Sequence, residues 1–489
     1  MRKLLLVGYV LSGLTNAFAG NYGSSPRDIV TSGSYAYFCA SDTTSTRWLY
    51  RTDGTATGTV KITQNGLDYS LTKGMAAANG YLYFRSVQNF AVSTLDRMCR
   101  SDGTDLGTTQ VAIRAGYTDS FGEQYAWFTR PRFLQAGNRL YFSTQTSIGN
   151  SVDGDLDTIN LDDSSTTRIP RLNVSSGPNG LLYGAAIGST LYFDYAFATN
   201  TSQQYALFKT QGTDVTTTGV CPLPAGSNPS FDMWRVPSTN VLVLGVSTPQ
   251  YGREVWRSDG TDAGTTIIKD INTAPRISNI DSPDNGASLP HFIGEMGGYV
   301  YFTASIMQSQ EVLQLWRTDG TSSGTTLVKS LPETTGLFAP SATELNGNLY
   351  FPARTATTGM ELWKSDGTDA GTTLVKAINS SAHAYPQHFM QINASELIFT
   401  AIGPNGLELW KTNGTAAGTV EVKDINPGPN GSTIMEFCKL PDGIVLFRAD
   451  DGQTGSELWR TDGTTTGTYR VADLNLVSTA SEVQNWTQY

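Results

Sequence analysis

The chain has 489 residues, and its 43 acidic residues outnumber its 33 basic ones, which gives a net charge of −10 at neutral pH. An acidic surface repels nucleic acid and anionic membranes. Because the basic residues also form no extended positive cluster, the sequence excludes a nucleic-acid partner. Four cysteines are too few for a fold built on disulfides.

The first nineteen residues predict a secretory signal peptide. Arg2 and Lys3 precede an apolar stretch at residues 4–14, and Ala17-Phe18-Ala19 provides a small-x-small cleavage pattern before Gly20. No later segment has the roughly 20 consecutive apolar residues that a transmembrane helix needs. We therefore expect a protein that is secreted to the extracellular space or periplasm without membrane insertion. Its mature chain would carry 31 basic and 43 acidic residues, a net charge of −12.

A short apolar and aromatic segment, here called the quartet, recurs nine times. Its copies are residues 35–38, 81–84, 139–142, 190–193, 241–244, 299–302, 348–351, 396–399 and 444–447, and their last residues lie 46 to 58 positions apart. Such a period is typical of propellers and other repeat arrays. Because the quartets are apolar at consecutive positions, they predict strands buried on both faces, as in a blade packed between two neighbours.

A second signal follows most quartets and is clearest at residues 361–372, which read E-L-W-K-S-D-G-T-D-A-G-T. Near copies occupy residues 48–59, 98–108, 254–265, 314–325, 408–419 and 457–468, whereas units three and four keep only remnants. Asp-Gly predicts a turn in which the carboxylate caps backbone N–H groups and Gly takes a positive φ. The second Gly lets the chain re-enter the sheet. Since Asp or Asn recurs in seven of nine units, we assign it to turn capping and the repeated tryptophans, including Trp48, to packing between units.

Adding a strand before each quartet gives four strands per unit. The sequence therefore predicts an all-β fold, a β-propeller of about nine four-stranded blades over residues 20–475, with a C-terminal tail at residues 476–489. Eight blades plus an irregular unit is the alternative.

The segment at residues 361–372 resembles the ELWxxDGT repeat family of exported bacterial proteins. The resemblance extends over essentially the whole chain after the signal peptide and implies a propeller-like array. It implies no defined activity.

Function in a repeat protein tends to lie where one unit departs from the others. His291 and His388 fall on the strand before the quartet in units six and eight, which we place nearest the ring axis, and Arg132 occupies a comparable position in unit three. His383 lies just upstream of His388. The sequence thus predicts a ligand site at the channel formed by His291, His388 and Arg132. Ordinary hydrogen bonding by side chains that line the channel is the alternative.

Unit three also carries Asp153, Asp155 and Asp157, which we place in an acidic loop. Alternating carboxylates can converge on Ca²⁺, which the extracellular compartment supplies. Calcium is the one cofactor that the sequence suggests, and a solvated acidic loop is the alternative.

Export allows a disulfide among Cys39, Cys99, Cys221 and Cys438. Cys39 with Cys438 is the preferred pair, since a closed ring brings the first and last units together.

Two functions fit these observations. The first is a non-enzymatic, monomeric binding or scaffold module with a protein or glycan ligand at the propeller face. It is favoured because the sequence shows no H-E-x-x-H, G-x-S-x-G or phosphate-binding loop. The alternative is a secreted carbohydrate-active enzyme, a polysaccharide hydrolase or lyase on a propeller scaffold, because 43 acidic residues provide many carboxylate pairs.

Overall fold

The computed structural model describes residues 24–41, 47–64, 67–68, 71–89, 94–115, 133–148, 151–169, 184–198, 203–222, 228–237, 239–273, 287–307, 311–331, 342–355, 359–379 and 382–474. In these ranges the chain is all-β and forms nine four-stranded antiparallel sheets, the blades of a β-propeller. The predicted fold is confirmed, with nine blades and not eight. In the same ranges, no helix is long and apolar enough to cross a membrane.

Each blade takes four consecutive strands. Blades one to three contain β1 (Arg27–Ser32), β2 (Tyr35–Ser41), β3 (Arg47–Thr52) and β4 (Val60–Lys61); β7 (Leu71–Ala78), β8 (Tyr81–Asn89), β9 (Thr94–Ser101) and β10 (Thr109–Ala115); and β11 (Leu134–Ala136), β12 (Arg139–Ile148), β13 (Ser151–Asn160) and β14 (Thr166–Ile169). A small hairpin of β5 (Thr63–Gln64) and β6 (Leu67–Asp68) joins blades one and two. Blades four to six contain β15 (Gly184–Ile187), β16 (Thr190–Ala198), β17 (Gln203–Thr210) and β18 (Thr218–Pro222); β19 (Asn228–Arg235), β20 (Leu242–Thr248), β21 (Gly252–Ser258) and β22 (Thr266–Lys269); and β23 (His291–Met296), β24 (Tyr299–Met307), β25 (Glu311–Thr318) and β26 (Thr326–Leu331). Blades seven to nine contain β27 (Thr343–Leu345), β28 (Asn348–Thr355), β29 (Gly359–Ser365) and β30 (Thr373–Lys376); β31 (Gln387–Asn393), β32 (Glu396–Gly403), β33 (Gly406–Thr412) and β34 (Val420–Lys423); and β35 (Met435–Lys439), β36 (Val445–Asp450), β37 (Ser456–Thr461) and β38 (Tyr469–Ala472).

The first strand of each blade is the innermost one. First strands of neighbouring blades contact each other, as β23 does with β27 and β27 with β31, and β1 contacts both β7 and β35. The ring is therefore closed between blades nine and one, and the predicted position of the first strands near the axis is confirmed.

The quartets form the second strands and provide the core between blades. Phe399 of blade eight is fully buried in one cluster with Tyr350 and Leu362 of blade seven and with Trp410 of its own blade. Burying an aromatic side chain of this size contributes about 2–3 kcal/mol. The repeated tryptophans thus pack between blades as predicted, and Trp48 of blade one packs against the cluster between blades nine and one, at a shifted position. There Tyr50 lies opposite Phe38 in the position that Trp410 holds opposite Phe399, while Trp48 lies two residues earlier.

The Asp-Gly-Thr turns confirm the predicted capping. In blade seven, Asp366 Oδ1 accepts hydrogen bonds from the N–H (2.9 Å) and Oγ1–H (2.7 Å) of Thr368. These bonds lower the pKa of Asp366. Equivalent bonds to the turn Asp or Asn recur in blades one, two, five, six, eight and nine. The second glycine makes room for the capping carboxylate, because a Cβ on Gly371 would lie 2.0 Å from Asp366 Oδ1.

The glutamate that begins the E-L-W segment holds the connection to the next blade. Glu408 is fully buried, and it accepts hydrogen bonds from the N–H groups of Ile425 (3.0 Å) and Asn426 (3.3 Å) and from Ser432 Oγ–H (2.7 Å). Burial raises the pKa of Glu408 to about 7, and the hydrogen bonds act in the opposite direction. Glu254 and Glu361 bind the corresponding N–H groups in blades five and seven.

The N-terminal segment closes the ring by the same contact. Ser24 donates its N–H (2.8 Å) and Oγ–H (2.5 Å) to Glu457 of blade nine, as Ser432 donates its Oγ–H to Glu408. The N–H of Ser25 also donates to Ser456 O at 2.8 Å. Ser24 therefore does for blade nine what an inter-blade connection does for the other blades.

Candidate functional site

The structure describes two of the three predicted channel residues, His291 and His388. His291 begins β23 of blade six, and His388 lies in β31 of blade eight, with β27 of blade seven between these strands. Arg132 lies outside the described residues. Both histidines are on innermost strands, as predicted, but the proposed common site of all three stays a prediction.

His388 is held by its own surroundings. Its Nδ1 lies 3.2 Å from Thr400 Oγ1, and its ring meets Phe437 edge-on at 6.2 Å. Burial lowers the pKa of His388, against the opposing effect of Glu436. His383 also has a structural contact, since its Nδ1 accepts the N–H of Met360 at 2.8 Å. These contacts correspond to the alternative of ordinary hydrogen bonding.

The acidic segment of unit three is a strand, so the predicted loop is wrong. Asp153, Asp155 and Asp157 lie in β13 opposite Thr146, Thr144 and Phe142 of β12. Their i, i+2, i+4 spacing matches the period of a strand. The side chain of Asp157 is buried, and those of Asp153 and Asp155 lie outside the described part of the chain. Among the described side chains no group of three His, Cys, Asp or Glu could hold a metal, and calcium binding by these aspartates stays a prediction.

The preferred disulfide is also wrong. All four cysteines are free thiols in the structure. Cys39 packs against blade two in a cluster with Leu82 and Cys99, whereas Cys438 packs in the cluster between blades nine and one. Neighbouring residues of a strand face opposite ways. Phe38 therefore faces the cluster that contains Cys438, while Cys39, the next residue, faces blade two.

A cavity of about 700 Å³ opens elsewhere, at the ends of the inner strands of blades five, six and seven. Its walls come from the end of β19, from the hairpin turns that follow β23 and β27, and from the Asp-Gly turn of blade seven. Trp234 and Tyr299 supply aromatic surface, and Glu295, Glu344 and Asp366 supply carboxylates. This size falls within the range of ligand pockets, about 300–1,000 Å³.

Each carboxylate of the cavity has one oxygen fixed by a neutral donor. Glu295 Oε2 accepts from Trp234 Nε1–H at 3.3 Å, and Glu344 Oε1 accepts from the N–H of Gly347 at 2.7 Å. Asp366 is fixed by Thr368, as described above. All three carboxylates are exposed, and none has an ion-pair partner within the described residues. The cavity therefore presents oriented acceptor oxygens.

The donor side of the cavity is formed by Arg317. Its guanidinium lies over the ring of Tyr299, 4.6 Å from the centroid, and beside the hydroxyl of Tyr301. Burial raises the pKa of Tyr301, and the hydrogen bond with Arg317 opposes this shift. The cavity thus combines acceptors, one fixed cation and aromatic surface.

Sequence reasoning missed this cavity, which lies at the other end of the inner strands from the predicted histidine. Three residues of extended chain, roughly 10 Å, separate His291 from Gly294, where the cavity wall begins on β23, and six residues, roughly 20 Å, separate it from Gly297. One sequence signal points to it: Trp234 lies on a first strand, whereas the repeated tryptophans of the motif lie on third strands.

Comparisons with protein-family models and with curated proteins find no match. Solved structures that are similar include Porphyromonas gingivalis dipeptidyl peptidase 4 (10% identity, 88% of this chain and 65% of that chain, TM-score 0.44). They also include a puromycin hydrolase mutant, S511A, complexed with PGG (10% identity, 88% and 58%, TM-score 0.39) and the β-propeller domain of the Trilobed protease from Pyrococcus furiosus (11%, 71% and 97%, TM-score 0.34). The chain spans less than two thirds of the two longer proteins. These likenesses concern the propeller fold, and at this level they carry no argument about chemistry.

Proposed function

We propose that this chain is a secreted, non-enzymatic binding or scaffold module of the ELWxxDGT repeat type, which takes its ligand in the cavity of blades five to seven. The proposal includes export by residues 1–19 and a monomeric protein in the extracellular space or periplasm. The cavity is the observation that carries it, because its walls include Trp234 and Glu295, which lie outside the repeated motif. Most residues of the repeated motif serve turn capping, blade connection or packing, and Asp366 both caps its turn and lines the cavity.

A pair of glycine variants tests this proposal. Gly347 and Gly80 each follow an Asn in the hairpin turn between the first and second strands of a blade, with φ of +70° and +77°. A Cβ on either would meet no atom within 4 Å, and Asn tolerates this backbone conformation. Gly347 lines the cavity, whereas Gly80 is on blade two. Gly347→Asn should therefore obstruct the cavity at this wall, and Gly80→Asn is the matched control.

Binding is measured on printed glycan and peptide arrays. We expect the unmodified protein and Gly80→Asn to bind the same spots, and Gly347→Asn to lose them at a melting temperature that matches that of Gly80→Asn. Absence of binding to both arrays, or equal binding by the two variants, contradicts the proposal.

Glu295 and Glu344 lie in one cavity and favour a second function, a carbohydrate-active hydrolase, which needs two carboxylates flanking the scissile bond. Release of reducing ends from an array-positive polysaccharide, abolished by Glu295→Gln or Glu344→Gln, would establish this second function over the first.

A further inference from the structure

We infer that the ligand of this cavity is a neutral oligosaccharide. The inference rests on the proposed function and names its ligand class. It follows from the kinds of hydrogen-bonding groups that the walls of the cavity provide.

The cavity offers acceptors and a donor together. Glu295, Glu344 and Asp366 supply carboxylate oxygens, which only accept, while Arg317 only donates. A hydroxyl both donates and accepts, so a ligand with several hydroxyls can bond to both kinds of wall. An ammonium or guanidinium group could bond only to the carboxylates and would be repelled by Arg317.

Two of the carboxylates are held in place by neutral donors, which leaves an oxygen of each to accept a hydrogen bond from the ligand. Glu295 and Glu344 are each held by a neutral N–H donor, Trp234 Nε1–H and the N–H of Gly347. Each has its second oxygen available at a fixed position. Groups that are oriented before binding need little ordering when the ligand arrives.

Trp234 and Tyr299 supply the apolar part of the site. Trp234 is half-buried and is anchored through its indole N–H, and Tyr299 is half-buried under Arg317. The C–H face of a sugar ring is apolar and fits against an aromatic surface, while its hydroxyls point sideways to the polar walls.

Charge decides among classes of sugar. Of the four charged side chains that line the cavity, three are carboxylates, and the mature chain is acidic as a whole. Uronic-acid polymers are therefore repelled. A neutral oligosaccharide avoids this repulsion and, unlike an amino sugar, places no second cation beside Arg317.

The test is a titration of neutral, acidic and amino oligosaccharides: cellotetraose, maltotetraose, mannotetraose, xylotetraose, tetragalacturonate and a glucosamine tetramer, with tetralysine as a cationic peptide. We expect a neutral tetrasaccharide to bind most tightly, with an affinity that hardly changes between low and high salt. Trp234→Ala should weaken it at least about tenfold, which corresponds to about 1.4 kcal/mol. Trp48→Ala on blade one should leave it unchanged.

Glu295→Gln with Glu344→Gln separates hydroxyl donors from cations. Gln keeps an acceptor oxygen and loses the charge, so a neutral sugar should lose less than about tenfold, whereas a cationic ligand should lose more and show strong salt dependence. Gly298→Asn, which adds bulk at a position with free space, should abolish binding without removing a contact.

Tighter binding of tetralysine, the glucosamine tetramer or tetragalacturonate than of every neutral sugar overturns the inference. Unchanged affinity of Trp234→Ala or Gly298→Asn also overturns it. If only peptides bind, and Gly347→Asn loses them, the inference fails while the proposed function stands. If no glycan or peptide binds, both fail.

Discussion

Replacing Glu457 with Ala should open the ring at the seam between blades nine and one. Glu457 accepts the N–H and Oγ–H of Ser24, and Ser24 is fully buried. Glu408→Ala is the matched control, because Glu408 makes the equivalent bond with Ser432. The difference is covalent: residues 424–434 join blades eight and nine, whereas only side-chain and backbone contacts join blades nine and one.

The size of the effect follows from the bonds that are lost. Hydrogen bonds to a charged group contribute about 1.5–3 kcal/mol each, and two bonds from Ser24 are lost together with one from the N–H of Leu474. Burial raises the pKa of Glu457, so removing the carboxyl also recovers part of its desolvation cost. We therefore expect a net loss of about 3 kcal/mol, or an opening constant that rises on the order of 100-fold.

Hydrogen exchange measures this opening directly. The N–H of Ser25 bonds to Ser456 O and that of Ser41 bonds to Ser24 O, so both amides report the seam. In Glu457→Ala, amides of β1 and β38 should exchange faster than global unfolding allows, while Glu408→Ala should lose a similar free energy of unfolding without local opening. Equal protection of β1 in Glu457→Ala and the unmodified protein, or equal local opening in Glu408→Ala, would refute the reasoning.

Three other predictions follow from the fold. Because burial raises the pKa of Glu254, Glu361 and Glu408 from near 4.5 to about 7, their contribution to stability is complete below pH 4.5 and is lost as the pH rises through 7. Calorimetry should therefore show a lower melting temperature at pH 8 than at pH 5. A higher melting temperature at pH 8 would contradict the raised pKa of these glutamates. A Cβ on Gly260 would lie 2.4 Å from Tyr192 Oη, and the residue has a φ of +85°. Gly260→Ala should therefore lower the free energy of unfolding by about 2–4 kcal/mol, and adding Tyr192→Phe should recover part of this loss. Denaturant unfolding measures the loss, with Gly188→Ala, where a Cβ meets open space, as the control. Thiol titration of the denatured, unreduced protein should count four thiols, and a count of two would reveal a disulfide.

The blades could be predicted because their signals are local. Nine quartets mark the nine second strands, and the Asp-Gly-Thr segment marks the turn after the third strand with residues that bond within five positions of each other. Periodicity and turn chemistry report such short-range features well. The acidic segment of β13 misled for the same reason: carboxylates at every second position suit both a cation loop and one face of a strand.

The role of the motif glutamate could not be read in this way. Glu361 bonds to N–H groups 17 and 18 residues further along the chain, and Glu457 bonds to Ser24, 433 positions away. The cavity is similar, since its walls come from three blades and depend on how these blades pack. Cys39 and Cys438 show most directly that blade order does not predict which side chains meet. They belong to the first and last blades, but Cys39 faces blade two and only Cys438 faces the seam between blades nine and one.

The closing seam uses contacts that recur elsewhere in the ring. The basic residue after the repeated aromatic position reaches the turn glycine carbonyl of the next blade, from Lys209 to Gly260 at 2.8 Å and from Lys364 to Gly414 at 3.0 Å. Arg460 of blade nine reaches Gly54 of blade one in the same way at 3.1 Å. Because every blade is complete in itself, the last blade meets the first as any blade meets its neighbour. The ring can therefore close without exchanging a strand. At an interior seam the chain that connects two blades supplies the serine that bonds to the motif glutamate, whereas at the closing seam Ser24 supplies it from the N-terminal segment.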